Sequence, residues 1–156
     1  MYAPYWCDRP REVNLKNTLN EGIKYQHIFK ITKEKTVPNL YPESDLFRAM
    51  PGVLATGYMV GLLEWACIEL LRNHLDWPAE QTLGTHVNFS HLAPTLPGMT
   101  VTVDVELIKI DGRRLVFKVE ANDGVASISA GLHERFIINR DQFLKKLEVI
   151  RAQAEL

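Results

Sequence analysis

The chain has 156 residues, 46% of them hydrophobic and 24% charged, with a formal net charge of −1. That apolar content supports a sizeable core in one domain, and the balanced charge lacks the basic excess of a protein that binds nucleic acid or an anionic membrane. The two cysteines, Cys7 and Cys67, fall in an N-terminal tail and an apolar helix, which suits free thiols better than a disulfide or a metal site, and no metal-ligand motif is present.

Residues 1–20 read as a tail of undefined order, in which Tyr2, Tyr5 and Trp6 have no assigned place, and residues 21–156 as a single domain. The stretch from Met1 to Arg9 has no basic segment followed by an apolar run, so it is not a secretory signal and a cytoplasmic protein is expected. From Lys24 to Ile31, alternate residues Tyr25, His27, Phe29 and Ile31 predict a strand. A connection follows through Pro38 and Pro42. Ser44 is placed to cap a short helical turn that lasts through Ala49, before Pro51 and Gly52 break it.

The main helix is predicted from Thr56 to His74, ending ahead of Pro78, and a strand from Thr82 to Phe89. The period then becomes two. Met99, Val101, Val103, Val105 and Leu107 alternate with polar residues, Asp111 and Gly112 turn the chain into Leu115, Phe117 and Val119, and Asp123 and Gly124 turn it again. A strand from Val125 to Ile138 is expected to place Ala126, Ile128, Ala130 and Leu132 on one side. Asn139 can cap a last amphipathic helix carrying Phe143, Leu147 and Ile150.

The main helix is apolar almost all round, yet Glu64 sits near its middle. Burying an ionised carboxylate without partners costs several kcal/mol, so Glu64 is paired, neutral, or facing a polar cleft in the core. Glu64, Glu69 and Arg72 interrupt the apolar run before about 20 residues accumulate, which excludes a membrane span. A helix of this kind must be enclosed, and the economical enclosure is an antiparallel sheet curled around it. The expected class is therefore α+β, a hotdog fold with a C-terminal helix. Its open edge strand predicts a homodimer.

One ordered set of residues resembles a known family. Leu40-Tyr41-Pro42-Glu43-Ser44, Ala55-Thr56-Gly57, Met59-Val60-Gly61-Leu62 and Glu64-Trp65-Ala66-Cys67 are followed by Leu83-Gly84-Thr85, His91, Pro97-Gly98, Gly112-Arg113-Arg114-Leu115 and His133-Glu134-Arg135. In order and spacing, from Thr36 to Phe143, they resemble the fluoroacetyl-coenzyme A thioesterases, which are hotdog-fold enzymes. The resemblance implies a catalytic group of Thr56, Glu64 and His91. It also implies a backbone N–H beside the thioester at Gly84, an arginine lining the acyl site at Arg135, and an apolar lid of Val37, Leu40, Phe47 and Met50. Met50 departs from the pattern, standing where the family uses a phenylalanine to recognise its fluorinated acyl group, so fluoroacetyl selectivity is not carried over with it.

Thioester hydrolysis needs a nucleophile, a base and an oxyanion donor. Thr56 or a water attacks, His91 takes the proton, Glu64 accepts from the other imidazole nitrogen, and N–H groups near Gly84 meet the oxyanion. Acyl-coenzyme A is then the small-molecule partner and coenzyme A enters only as part of the substrate, with no metal or redox cofactor. On a continuous helix Thr56 and Glu64 lie about 12 Å apart, so both reach one His91 only if the helix starts after Thr56 or the site is shared between two copies; the shared site is favoured.

Structural roles compete with each assignment: Thr56 as a helix N-cap, Glu64 as a buried structural or solvent-facing carboxylate, His91 as a rim group, Gly84 as a bulge, Arg135 as a surface strand residue, and the lid as ordinary core. Arg113, Arg114 and Lys118 suit coenzyme A phosphates or a solvated hairpin face. His27, His74, His86 and His133 receive no role. At the level of the whole protein, a non-catalytic acyl-thioester binding protein, a hotdog-type hydratase or dehydratase, and a dimeric scaffold remain the alternatives.

Overall fold

A computed structural model describes residues 16–156. Five strands, β1 (Lys24–Lys30), β2 (Glu80–Phe89), β3 (Thr100–Asp111), β4 (Arg114–Asn122) and β5 (Ser127–Asn139), form one antiparallel sheet in the order β1-β3-β4-β5-β2. The long helix α2 (Thr56–Leu71) packs on this sheet, with a single turn α1 (Asp45–Arg48) before it and α3 (Arg140–Gln153) at the C-terminus. This is the α+β hotdog layering anticipated from the apolar helix. Tyr2, Tyr5 and Trp6 lie outside the described residues. Leu19 is part of the core, and Lys16 reaches the Leu75 carbonyl at 2.9 Å and Asp76 at 2.8 Å.

Local signals formed these elements as chemistry dictates. Ser44 Oγ accepts from the Phe47 N–H at the start of α1, and Asn139 Oδ1 accepts from the Gln142 N–H at the start of α3. Gly112 and Gly124 take positive φ in the two turns that follow Asp111 and Asp123. Along β3, Val101, Val103, Val105 and Leu107 all turn inward to meet Met59, Leu63, Ala66 and Leu70 of α2 in a core that also holds Leu115, Phe117 and Val119. Each of the larger of these side chains contributes roughly 1.5–3 kcal/mol on burial, so the sheet-to-helix layer is where the fold holds together.

Three expectations need correction. The helix stops at Leu71, short of His74, where the Arg72 and His74 N–H groups turn to the carbonyls of Glu69 and Leu71 three residues back and tighten the end. In β5 the expected inner side is reversed: a register shift between Ala121 and Asn122 on the β4 side leaves Ile128 as an extra buried residue, and beyond it Ser129, His133, Arg135 and Ile137 face the core while Ala130 and Leu132 are exposed. A one-residue bulge exchanges the faces of everything after it. The single chain also covers only part of α2. Thr56, Gly57 and Gly61 are exposed and Val60, Glu64 and Ile68 half-buried along one side of the helix.

Candidate active site

Two polar clusters lie on α2, one at its first turn and one two turns further on. The first joins Thr56 to His91. Helix α2 is N-capped by Ala55, without a side-chain cap, so the Thr56 hydroxyl is not spent on capping; it lies 2.8 Å from His91 Nδ1. His91 follows the end of β2, in a segment where Ser90 N–H and Leu92 N–H still bond to the carbonyls of Ala130 and Ile128 on β5. The imidazole is therefore held on both sides by backbone. Burial pushes its pKa below the ordinary value, opposed by a backbone hydrogen bond at Ala93, so at neutral pH it is a free base able to accept a proton. Its Nε2 is buried without a hydrogen-bond partner.

Thr95 ties this first cluster down. Its carbonyl accepts from the Leu54 N–H at 2.8 Å, and its buried hydroxyl donates to Asp123 Oδ2 at 3.0 Å. Burial opposes the charge on Asp123, yet the N–H groups of Ala126 and Val125 and the Thr95 hydroxyl outweigh it and hold the pKa below the usual aspartate value. One buried threonine thus connects the loop of His91, the approach to Thr56 and the β4–β5 turn.

The second cluster is built around Glu64. Its Oε1 accepts from Arg135 Nη1 at 3.1 Å and stands 3.7 Å from His133 Nε2. Arg135 is buried, and its guanidinium also donates from Nε to Thr82 Oγ1 and from Nη2 to the Thr82 carbonyl, both at 2.8 Å. Gly84 lies directly opposite Arg135 in the β2–β5 ladder, where the register shifts between Gly84 and His86 so that Thr85 becomes an extra residue. A Cβ at position 84 would collide with Glu64 Oε1. The glycine is both part of a bulge and the space that the carboxylate fills.

The sequence-derived site residues therefore separate within one chain. Thr56 meets His91, while Glu64 meets Arg135 beside Gly84. Because α2 is unbroken from Thr56 to Leu71, the two clusters stay about 12 Å apart along its axis. Glu69, the other charged residue of the helix, is satisfied locally, its Oε1 accepting from Trp65 Nε1 and from Arg72 Nη2 just past the helix end, each at 2.9 Å.

The lid residues are not core. Val37, Leu40 and Phe47 are half-buried and Met50 is 50% exposed. Leu40 lies over Gly57, its Cδ1 3.1 Å from where a Cβ would be, and the Tyr41 and Phe47 rings stand 5.5 Å apart. Of the basic residues considered for phosphate contact, Arg114 is forked onto Glu134 and Lys118 pairs with Glu120 at 3.1 Å. Among the described residues no group of three or more His, Cys, Asp or Glu side chains is arranged to hold a metal ion. Cys67 is buried under Arg135 and Glu64, and burial raises its thiol pKa to about 12.

His133 and Thr82, given no role from sequence, belong to the second cluster. The signal was present: residues two apart on a strand share a face, so an inward Arg135 brings His133 with it.

Comparison with known proteins places the chain in one family. The sequence profile of the fluoroacetyl-CoA-specific thioesterases matches residues 31–141. The fluoroacetyl-CoA thioesterase of Streptantibioticus cattleyicolor is 45% identical over 133 residues, covering 85% of this chain and 95% of that protein. A crystal structure of the fluoroacetyl-CoA thioesterase FlK superposes with a TM-score of 0.82 at 45% identity, covering 85% of this chain and 97% of the other. A thioesterase superfamily member from Thermus thermophilus, 28% identical, superposes at 0.78 over 89% and 98% of the two chains.

Proposed function

Because the chain belongs to the fluoroacetyl-CoA-specific thioesterase family, we propose that it hydrolyses an acyl-coenzyme A thioester with a small or medium acyl group, as a homodimer whose active sites each draw on both copies. The observation that carries this reading is the division of the site along one helix, with the Thr56–His91 pair at its start and Glu64, Arg135 and Gly84 two turns on. His91 Nε2 lacks an acceptor in the single chain. In the dimer the partner subunit's Glu64 supplies one.

Two unsatisfied surfaces support the second copy. Strand β2 pairs only with β5, leaving its other edge open among the described residues, and the Val60, Gly61, Glu64 and Ile68 side of α2 is uncovered. Edge-to-edge pairing along β2 extends the sheet and sets the two α2 helices side by side.

The chemistry then runs as follows. The Thr56 hydroxyl, or a water it orients, attacks the thioester carbonyl while His91 removes the proton. The carbonyl oxygen becomes an oxyanion facing backbone N–H groups at the Gly84 bulge. Collapse breaks the C–S bond, and the proton held by His91 leaves with the thiol of coenzyme A; an acyl-threonine, where formed, is cleared by water through the same base. Val37, Leu40, Phe47 and Met50 shield the acyl group, with Met50 admitting acyl groups other than fluoroacetyl. No described helix is long and apolar enough to cross a membrane, and we place the enzyme in the cytoplasm.

Thiol release from a panel of acyl-coenzyme A esters tests the reading. The wild-type protein turns over at least one ester, and Glu64→Gln and His91→Ala lose that turnover. Turnover surviving both substitutions removes this mechanism, and tight binding of the esters without thiol release makes the chain a binding protein.

A further inference from the structure

We propose that His133 is a positioning residue for this hydrolysis, a neutral imidazole that fixes the Gly84 bulge and the Glu64–Arg135 pair relative to one another. The inference rests on the hydrolase reading above. His133 is fully buried on β5, with Nδ1 2.8 Å from the backbone carbonyl of His86 and Nε2 3.1 Å from Arg135 Nη1. A carbonyl only accepts and a guanidinium only donates, so Nδ1 must carry the proton and Nε2 must be the lone pair. Both ring nitrogens are then used, and no third partner is needed.

The two contacts reach different parts of the site. His86 is the residue at which β2 regains its register after the bulge, so the Nδ1 bond holds the strand that carries Gly84. Arg135 Nη1 is shared between His133 Nε2 and Glu64 Oε1, so the other bond sets the direction in which the guanidinium presents itself to the carboxylate. The ring also packs on the bulge, its Cε1 3.3 Å from where a Gly84 Cβ would stand. The charged groups that act on it are Glu64 from α2 and Arg135 and Glu134 from β5, and His86 of β2 meets it through its backbone carbonyl. Arg135 is the one that touches it as a hydrogen-bond donor, and a protonated Nε2 would lose that bond and face a cation.

Three substitutions separate the two contacts. Asn places its amide N–H where Nδ1 is, keeping the bulge bond alone; Gln places its amide oxygen where Nε2 is, keeping the Arg135 bond alone; Leu keeps neither. Expected for His133→Leu is a fall in plateau kcat on the order of 10²-fold with KM changed far less, because misplacing the carboxylate and the oxyanion donor acts on the transition state. His133→Asn and His133→Gln each recover part of the loss, and the acidic limb of the pH–rate profile keeps its midpoint in both, since that limb belongs to His91. Nitrogen-15 spectra of histidine-labelled wild-type protein show His133 as a fixed Nδ1–H tautomer from pH 5 to 8.

A His133→Leu protein with plateau kcat within twofold of wild type overturns the proposal alone, as does an Nε2–H tautomer or a His133 that titrates in that range. Loss of the acidic limb in His133→Gln also overturns it, by making His133 the base. A wild-type protein that releases thiol from no ester sinks the hydrolase reading, and the positioning role with it.

Discussion

The Glu64 carboxylate occupies the space that a side chain at position 84 would need, and Gly84 lies opposite the arginine that holds that carboxylate. Helix and sheet therefore meet at a point where a glycine, a glutamate and a buried guanidinium are fitted to one another. Replacing Gly84 by alanine forces the tip of Glu64 to move, and a flexible side chain can move without unfolding the protein. Thiol release by Gly84→Ala should drop on the order of 10²-fold while the melting temperature stays close to wild type; steady-state kinetics and calorimetry on the same preparation check both.

The pH dependence should report His91. Within its own chain, burial lowers the His91 pKa from the ordinary 6.5, which favours the unprotonated base at neutral pH. Protonation removes the base, so kcat/KM should be level on the alkaline side and fall as the pH drops through the His91 titration. His91→Ala should lose about 10²- to 10⁴-fold in rate together with that limb. A flat profile between pH 5 and 8 contradicts His91 as the base.

The Thr95–Asp123 bond should matter for stability. Asp123 has a depressed pKa in the folded protein, so its contribution is present above the unfolded aspartate value and lost as the pH falls through the lower folded one. At pH 7, Asp123→Asn should cost about 1–3 kcal/mol, because the carboxylate accepts three hydrogen bonds in a buried turn. Urea titrations over a pH series should show the two proteins converging in strong acid.

Mixing two inactive variants tests whether the site is shared. In a dimer of Thr56→Ala with Glu64→Gln, one composite site carries both defects and the other carries neither. Refolding an equal mixture should therefore recover about a quarter of wild-type turnover, from the half of the dimers that pair unlike copies. If both clusters of a single chain serve one site, the mixture stays inactive.

Much of the fold was open to reading because its signals are short-range. The alternation along β3, the Asp-Gly turns and the caps at Ser44 and Asn139 each involve residues within a few positions of one another, and each formed as its local chemistry required. The failures lie where one residue of offset matters. In β5 the extra residue at Ile128 reversed the inner face, exposing Ala130 and Leu132 and bringing His133 to the centre of the Glu64 cluster.

From the amino-acid order alone came the layered class, the carboxylate in the middle of an apolar helix and the residue types that a thioester hydrolase needs. The three-dimensional packing decided that Thr56 and His91 stand together, that within the same chain Glu64 stands with Arg135, Gly84 and His133, and that Thr95 anchors the first pair. The reason is physical. Periodicity and capping depend on neighbours a few bonds away, whereas these partnerships join groups many residues apart whose meeting is set by strand register and by the rigid rise of a helix.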